Sequence, residues 1–289
     1  MKELSLSHIF PVNKFCKNEC LANYLGNNVS SVFKGLAYKN SSLKKVSNKP
    51  VLYVKELLDC YNDDKSIASV TFVPENEQEE GLLKVCQKFI SFGANIHEKS
   101  EANFMNHYLM PFLNSIILEE TDESIVYSMI DGSDAKKRKK PDFMLGIKDR
   151  KRELYYFYVE VKRPKVKSIY QEEDDYAKLL KQLKGSIDNQ LKLGMKDPKS
   201  FGLLCEGFSC SLYKMTILEE GIYASSCLRR FQLVENLSMI LNVVPATEVF
   251  IFLKEELQSL QDRYKSRSKK ETKDLQKLIK PSFITKFNK

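Results

Sequence analysis

The stretch Asp131 to Pro164, DGSDAKKRKKPDFMLGIKDRKRELYYFYVEVKRP, decides how the rest of the chain is read. It holds two apolar runs, Asp142 to Ile147 and Leu154 to Lys162. The segment Lys148-Asp149-Arg150-Lys151-Arg152-Glu153 between them is polar throughout. Strand, polar turn and strand in that order predict a β-hairpin. With the turn centred on Lys151, Ile147 faces Tyr155 and Asp142 faces Glu160, which makes the two carboxylates cross-strand neighbours.

Side chains alternate faces along a strand. One face of this hairpin therefore collects Phe143, Leu145 and Ile147 with Tyr155, Phe157, Val159 and Val161, and should bury against a helix. The other collects Asp142, Met144 and Gly146 with Tyr156, Tyr158, Glu160 and Lys162. Like charges directly opposite on an antiparallel pair destabilise it by up to about 1 kcal/mol. Partial burial adds a second penalty, because two nearby carboxylates resist joint ionisation unless a cation lies between them. A bound divalent metal removes both. The alternative is an edge hairpin whose acids and lysine form a solvated ion-pair cluster.

Pro141-Asp142, followed by Glu160-Val161-Lys162 on the next strand, resembles the signature of the PD-(D/E)xK nuclease superfamily, the restriction-endonuclease-like enzymes. The resemblance implies an α/β fold, a mixed central β-sheet flanked by helices. It implies that Asp142 and Glu160 are metal ligands, with the backbone carbonyl of Val161 a further one. Lys162 would orient the attacking water and stabilise charge developing on the phosphate. The superfamily often places an acidic residue on the helix before the PD strand, and Glu101, in SEANFMNHYLMPFLNSIIL, is the match. An acid in a first helical turn equally complements the helix dipole. Hard oxygen ligands without histidine favour Mg2+ or Mn2+ over zinc. The implied reaction is hydrolysis of phosphodiester bonds in nucleic acid, DNA ahead of RNA, leaving a 5′-phosphate. The phrases PDFML, EVKRP and CEGFSCSLYKM further resemble a eukaryotic, fungal-like branch of the superfamily. A catalytically silent nucleic-acid-binding or adaptor module on the same fold is the rival expectation.

Composition is compatible with this. A chain of 289 residues, 43% apolar, can bury one large core or two small ones. The formal charge of +8, from 46 basic and 38 acidic residues, favours a polyanionic partner. The opening MKELSLSHIFPVNKF carries no long apolar run, so no secretory signal is expected, nor does any uninterrupted apolar segment approach membrane-spanning length. A membrane partner is not expected. Seven scattered cysteines read as free thiols in a reducing, intracellular setting. Cys16 and Cys20 would need Cys205 and Cys210 to complete a zinc set in space, and all seven cysteines read rather as small apolar residues. With His8, His97 and His107 as the only histidines, and no G-x-x-x-x-G-K-[ST] loop, histidine-based centres and nucleotide-driven chemistry have little material.

Along the chain, residues 1–75 read as an accessory segment, with Lys39 to Pro50 a linker and a short helix over Val51 to Cys60. The nuclease-like core spans 76–263. Leu82, Leu83, Val85, Cys86, Phe89 and Ile90 mark a helix ending at Gly93. Ser100 caps a second helix carrying Phe104, Tyr108, Phe112 and Ile116, which Pro111 should kink. The cluster Lys136-Lys137-Arg138-Lys139-Lys140 either grips phosphate, addresses the chain to the nucleus or is a solvated loop. A helix over Gln171 to Leu193 presents Tyr176, Leu180, Leu183, Ile187 and Leu191 as its apolar line. Lys178, Lys181 and Gln182 lie off that line, available to backbone phosphates or to solvent. Gln182 has Ser186 four residues on, so the Q-x-x-x-Y element of some branches is absent. Strands follow over Phe201 to Glu206, Ser209 to Ile217 and Ile222 to Leu233, then helices Glu235 to Asn242 and Ala246 to Arg263, broken at Pro245. The tail 264–289 holds nine basic residues against two acids, for nucleic-acid contact, nuclear import or solubility.

Overall fold

Seven strands form one mixed sheet in the computed structural model, which describes residues 2–12, 31, 35, 42–92, 100–119, 123–129, 141–164, 175–218, 221–267 and 272–282. In chain order the described elements begin with α1 (Lys2–Leu6), β1 (Ile9–Pro11), α2 (Asn48–Asn62) and α3 (Glu77–Phe92). The helical run α4 follows, built from Glu101–Phe104, Met105–Leu109, Met110–Phe112 and Leu113–Leu118. Then come β2 (Ile125–Met129), β3 (Phe143–Asp149), β4 (Arg152–Lys162), α5 (Asp175–Lys192), β5 (Lys199–Glu206), β6 (Ser209–Leu218) and β7 (Ile222–Gln232). A short 3-10 helix, Leu237–Asn242, leads into α6 (Val243–Lys265), and α7 (Thr272–Lys277) closes the series.

The sheet order is β1-β7-β6-β5-β4-β3-β2. Strands β2, β3 and β4 are antiparallel neighbours, as are β5, β6 and β7. Strand β5 lies parallel to β4 because α5 carries the chain back across the sheet. The apolar line of α5 explains its position: Tyr176, Leu180, Leu183, Ile187 and Leu191 all bury, against Tyr158, Leu204 and Met215 of the strands. The other sheet face, with Phe143, Phe157, Phe201 and Leu212, packs under α3, α4 and α6 in the larger core. The architecture is thus mixed α/β, a sheet flanked by helices.

The hairpin forms at the expected place with one correction. At its open end the pairing is as the sequence implies, Phe143 opposite Val159 and Leu145 opposite Phe157. The register then slips between Leu145 and Gly146, so Ile147 faces Leu154 rather than Tyr155. Tyr156 is the extra residue of a β-bulge. The slip reverses two aromatic positions. Tyr156 is fully buried on the α6 side and donates to the Leu253 carbonyl at 2.9 Å, while Tyr155 packs at the edge of the α5 side. Gly146 permits the slip, since a Cβ there would lie 2.6 Å from the Tyr155 Cα. The turn itself is only Arg150-Lys151, with Arg150 in the left-handed region at φ 56.

Elsewhere one helix cap is as expected, and two prolines act differently from expectation. The Ser100 hydroxyl caps α4 by accepting from the Asn103 N–H at 3.1 Å. In place of a sharp kink at Pro111, α4 widens into π-helical turns on either side of it. Pro111 has no N–H to give to the preceding turn, and wider turns absorb that loss. Pro245 does not break α6 but sits in its first turn, where a missing N–H is harmless. The stretch before residue 76 contributes β1, paired with β7, and α2, whose Tyr53, Val54 and Leu57 enter the larger core. In the tail, Leu275, Leu278 and Ile279 pack with the α5 side of the sheet. One feature was not expected from sequence: by length and apolarity alone, Leu237–Lys265 could cross a membrane. In the fold it is a core helix, with 56% of that apolar window buried inside the protein.

Candidate active site

Asp142 closes the open end of the hairpin. Its N–H donates to the Val159 carbonyl at 3.0 Å, and its Oδ2 accepts the Val161 N–H at 2.7 Å. Carbonyls two residues apart on a strand point the same way, so the Val161 carbonyl is directed to the same flank, past the start of β3. Alternation along β4 sends Val159 and Val161 into the α6-side core and Glu160 and Lys162 towards α5.

Glu160 is 3% exposed and held at both oxygens. Lys178 Nζ lies 2.6 Å from Oε2, and Gln182 Nε2 donates to Oε1 at 2.7 Å. One pleat on, Lys162 Nζ lies 2.9 Å from Asp175 Oδ2. Asp175, Lys178 and Gln182 fall three and four residues apart on α5 and so share one helix face. That face meets the end of β4. The Lys162 carbonyl accepts from the Gly207 N–H at 2.8 Å, fixing the strand end against the β5–β6 turn.

The carboxylates are electrostatically crowded. Burial pushes Glu160 up to about 7, with Lys178 opposing and Asp142 adding to the rise. Burial also raises Asp142, against the pull of the Val161 N–H and Lys178, and Asp175 adds to it. Glu101 is exposed at the head of α4, yet partial loss of solvation and then Asp142 raise it, while Arg163 and Lys162 draw it down. The fold therefore brings Glu101, Asp142, Glu160 and Lys162 into one neighbourhood.

Lys178 and Gln182 lie inside that neighbourhood, on Glu160 itself, rather than on an open phosphate-facing surface. Lys181 is half-buried on the same helix. Lys136, Lys137, Arg138, Lys139 and Lys140 lie outside the described residues, as do Cys16, Cys20 and His97. Asp175, the partner of Lys162, was not singled out from sequence. Its signal was the i, i+3 spacing to Lys178 at the start of an acidic helix entry.

Among the described residues no three His, Cys, Asp or Glu side chains are grouped so as to hold a metal. What the site offers a hard cation is the carboxylates of Asp142 and Glu160 and the Val161 carbonyl, with Glu101 at the rim. Beside Glu160, the Oε1 of Gln182 is buried without a hydrogen-bond partner, an unused acceptor suited to a water in such a site. Compared with known proteins, the chain matches no family model, no curated protein and no solved structure.

Proposed function

We propose that the chain is a divalent-cation-dependent phosphodiesterase that hydrolyses nucleic acid, DNA ahead of RNA, on a restriction-endonuclease-like sheet. One observation carries this reading. Asp142 and Glu160 meet across the end of a hairpin, both raised by burial, with a lysine one pleat beyond. A buried acid and a half-buried one that repel each other are poorly placed for stability and well placed to share a cation. The all-oxygen donor set and the unused Gln182 acceptor fit Mg2+ or Mn2+, which keep several water and phosphate ligands of their own.

When bound, such an ion would polarise a phosphoryl oxygen and acidify a water. Asp142 and Glu160 would hold it, and the Val161 N–H bond keeps the Asp142 carboxylate oriented towards β4. Lys162 would neutralise charge building on the phosphate, its ammonium kept at the site by Asp175. Lys178 would exchange Glu160 for a phosphate oxygen as substrate enters, so its charge stays compensated throughout.

A second reading rests on a different observation. Lys178 and Gln182 already engage both oxygens of Glu160, as a silent nucleic-acid-binding or adaptor module would have them. Incubating the purified chain with labelled DNA and RNA, in Mg2+, Mn2+ or EDTA, separates the two. The hydrolase cuts in metal, stops in EDTA, and loses cutting but not binding in Asp142→Asn. The silent module only binds, with log affinity falling by about 0.9 per phosphate contact per decade of salt.

A further inference from the structure

A second charged cluster lies at the other end of the strands. Lys199 opens β5, Thr216 is its cross-strand partner on β6, and Lys214 stands two residues back on the same face. From Lys199 to Glu206, the neighbour of Lys162, the strand runs about 23 Å at ~3.3 Å per residue. This face also looks at α6, where the carboxylate site looks at α5. The two sites are separate.

Helix α6 lays Glu256 and Arg263 over the cluster. Lys199 Nζ lies 3.3 and 3.4 Å from the Glu256 oxygens, and Arg263 Nη1 lies 4.0 Å from Oε2 while donating to Ser259 Oγ at 2.9 Å. Lys214 is 2% exposed, and burial, with Lys199 next, pushes its ammonium down to about 8. Three cations thus gather around Glu256, with Asp197 a second carboxylate acting on Arg263. Yet Nε and Nη2 of Arg263 and Oγ1 of Thr216 are buried with no hydrogen-bond partner. A buried charged donor left without an acceptor is costly, and a guanidinium fork is shaped to pair with an oxyanion.

We infer that this cluster binds a small phosphate-class oxyanion free in solution, held by the Arg263 fork, Lys199 and the Thr216 hydroxyl. The missing component is an acceptor that is both negatively charged and able to take several hydrogen bonds at once. A tetrahedral oxyanion supplies both. The Lys199 and Arg263 side chains keep 16% and 19% of their surface exposed, which gives a small ion a way in. The inference stands independently of the hydrolase reading.

The test is a calorimetric titration of inorganic phosphate into the full chain, in EDTA, against chloride at equal ionic strength. Saturable binding is expected, weakened at least tenfold in Arg263→Gln and about threefold in Thr216→Val, and unchanged in Asp142→Asn. Thr216→Val is nearly isosteric, so it decides the matter if Arg263→Gln does not fold. Absence of saturable binding up to ~10 mM phosphate, indifference to Thr216→Val, or loss of binding in Asp142→Asn would each overturn the assignment.

Discussion

Lys178 Nζ sits 2.6 Å from Glu160 Oε2, so an ammonium occupies one flank of the carboxylate. The pair is deeply set, with side-chain exposures of 18% and 3%. Any added cation competes with this ammonium. Replacing it by an apolar group of similar length, Lys178→Met, removes the competitor and leaves Glu160 short of a counter-charge. Mn2+ affinity at pH 8, read by calorimetry, should tighten about tenfold, a gain of ~1.4 kcal/mol. Equal affinity in both proteins would mean that the ammonium and the metal do not share Glu160.

Glu160 also makes stability depend on pH. In the unfolded chain it ionises near its ordinary 4.5, in the folded chain near 7. Between those values the folded state keeps a proton that the unfolded state has lost, so stability falls as pH rises through the window and stays lower above it. The drop attributable to Glu160 is on the order of 3 kcal/mol, and Asp142 shifts in the same direction. Urea midpoints taken from pH 4.5 to 8 should decline with pH, and Glu160→Gln should flatten the decline. A profile as steep in that variant as in the wild type would remove Glu160 as the cause.

The hairpin itself was legible from strand alternation and a polar turn, but Phe143 faces Val159 at its open end only because the tighter turn at Arg150-Lys151 and the extra residue Tyr156 offset one another. The slip at Gly146 was not. Tyr155, Tyr156 and Phe157 are three aromatics in succession, so a period-two pattern fits them equally well in either phase. The buried line of α5 was legible for the opposite reason, its apolar spacing being unambiguous. By local pattern Lys178 and Gln182 face phosphate or water, as polar residues beside an apolar stripe usually do. That they meet Glu160 depends on how α5 crosses β4, which no local pattern encodes. Strands β1 and β2 are short edge pieces of three and five residues, too brief for a periodic signal.

Gly146→Ala tests the bulge. The added Cβ would lie 2.6 Å from the Tyr155 Cα and close against the Leu154 carbonyl, backbone atoms that cannot swing aside. Either the bulge is lost, turning Tyr156 out of the core, or β3 and β4 move apart. Destabilisation of about 3 kcal/mol is expected from chemical denaturation, at the upper end of single substitutions. A loss below about 0.5 kcal/mol, the range of an ordinary surface change, would show that the strands accommodate the methyl group and that the slip does not depend on glycine.

Lys162 and Asp175 separate catalysis from positioning. If Lys162 stabilises charge on the phosphate, Lys162→Ala should lower the rate of cleavage by roughly 10² to 10³ with little change in substrate binding, as for other electrostatic groups that act only in the transition state. Asp175 touches Lys162 at 2.9 Å, the contact through which it would place the lysine. Asp175→Asn keeps the shape and a hydrogen-bond acceptor while removing the charge that holds the ammonium, so its rate loss should be smaller, about tenfold. In the double variant the Asp175 effect should shrink to what its charge does to Asp142, because its lysine-placing role has nothing to place once the lysine is gone. Additive losses in the double variant would instead mean that Asp175 bears on the reacting phosphate or the metal directly.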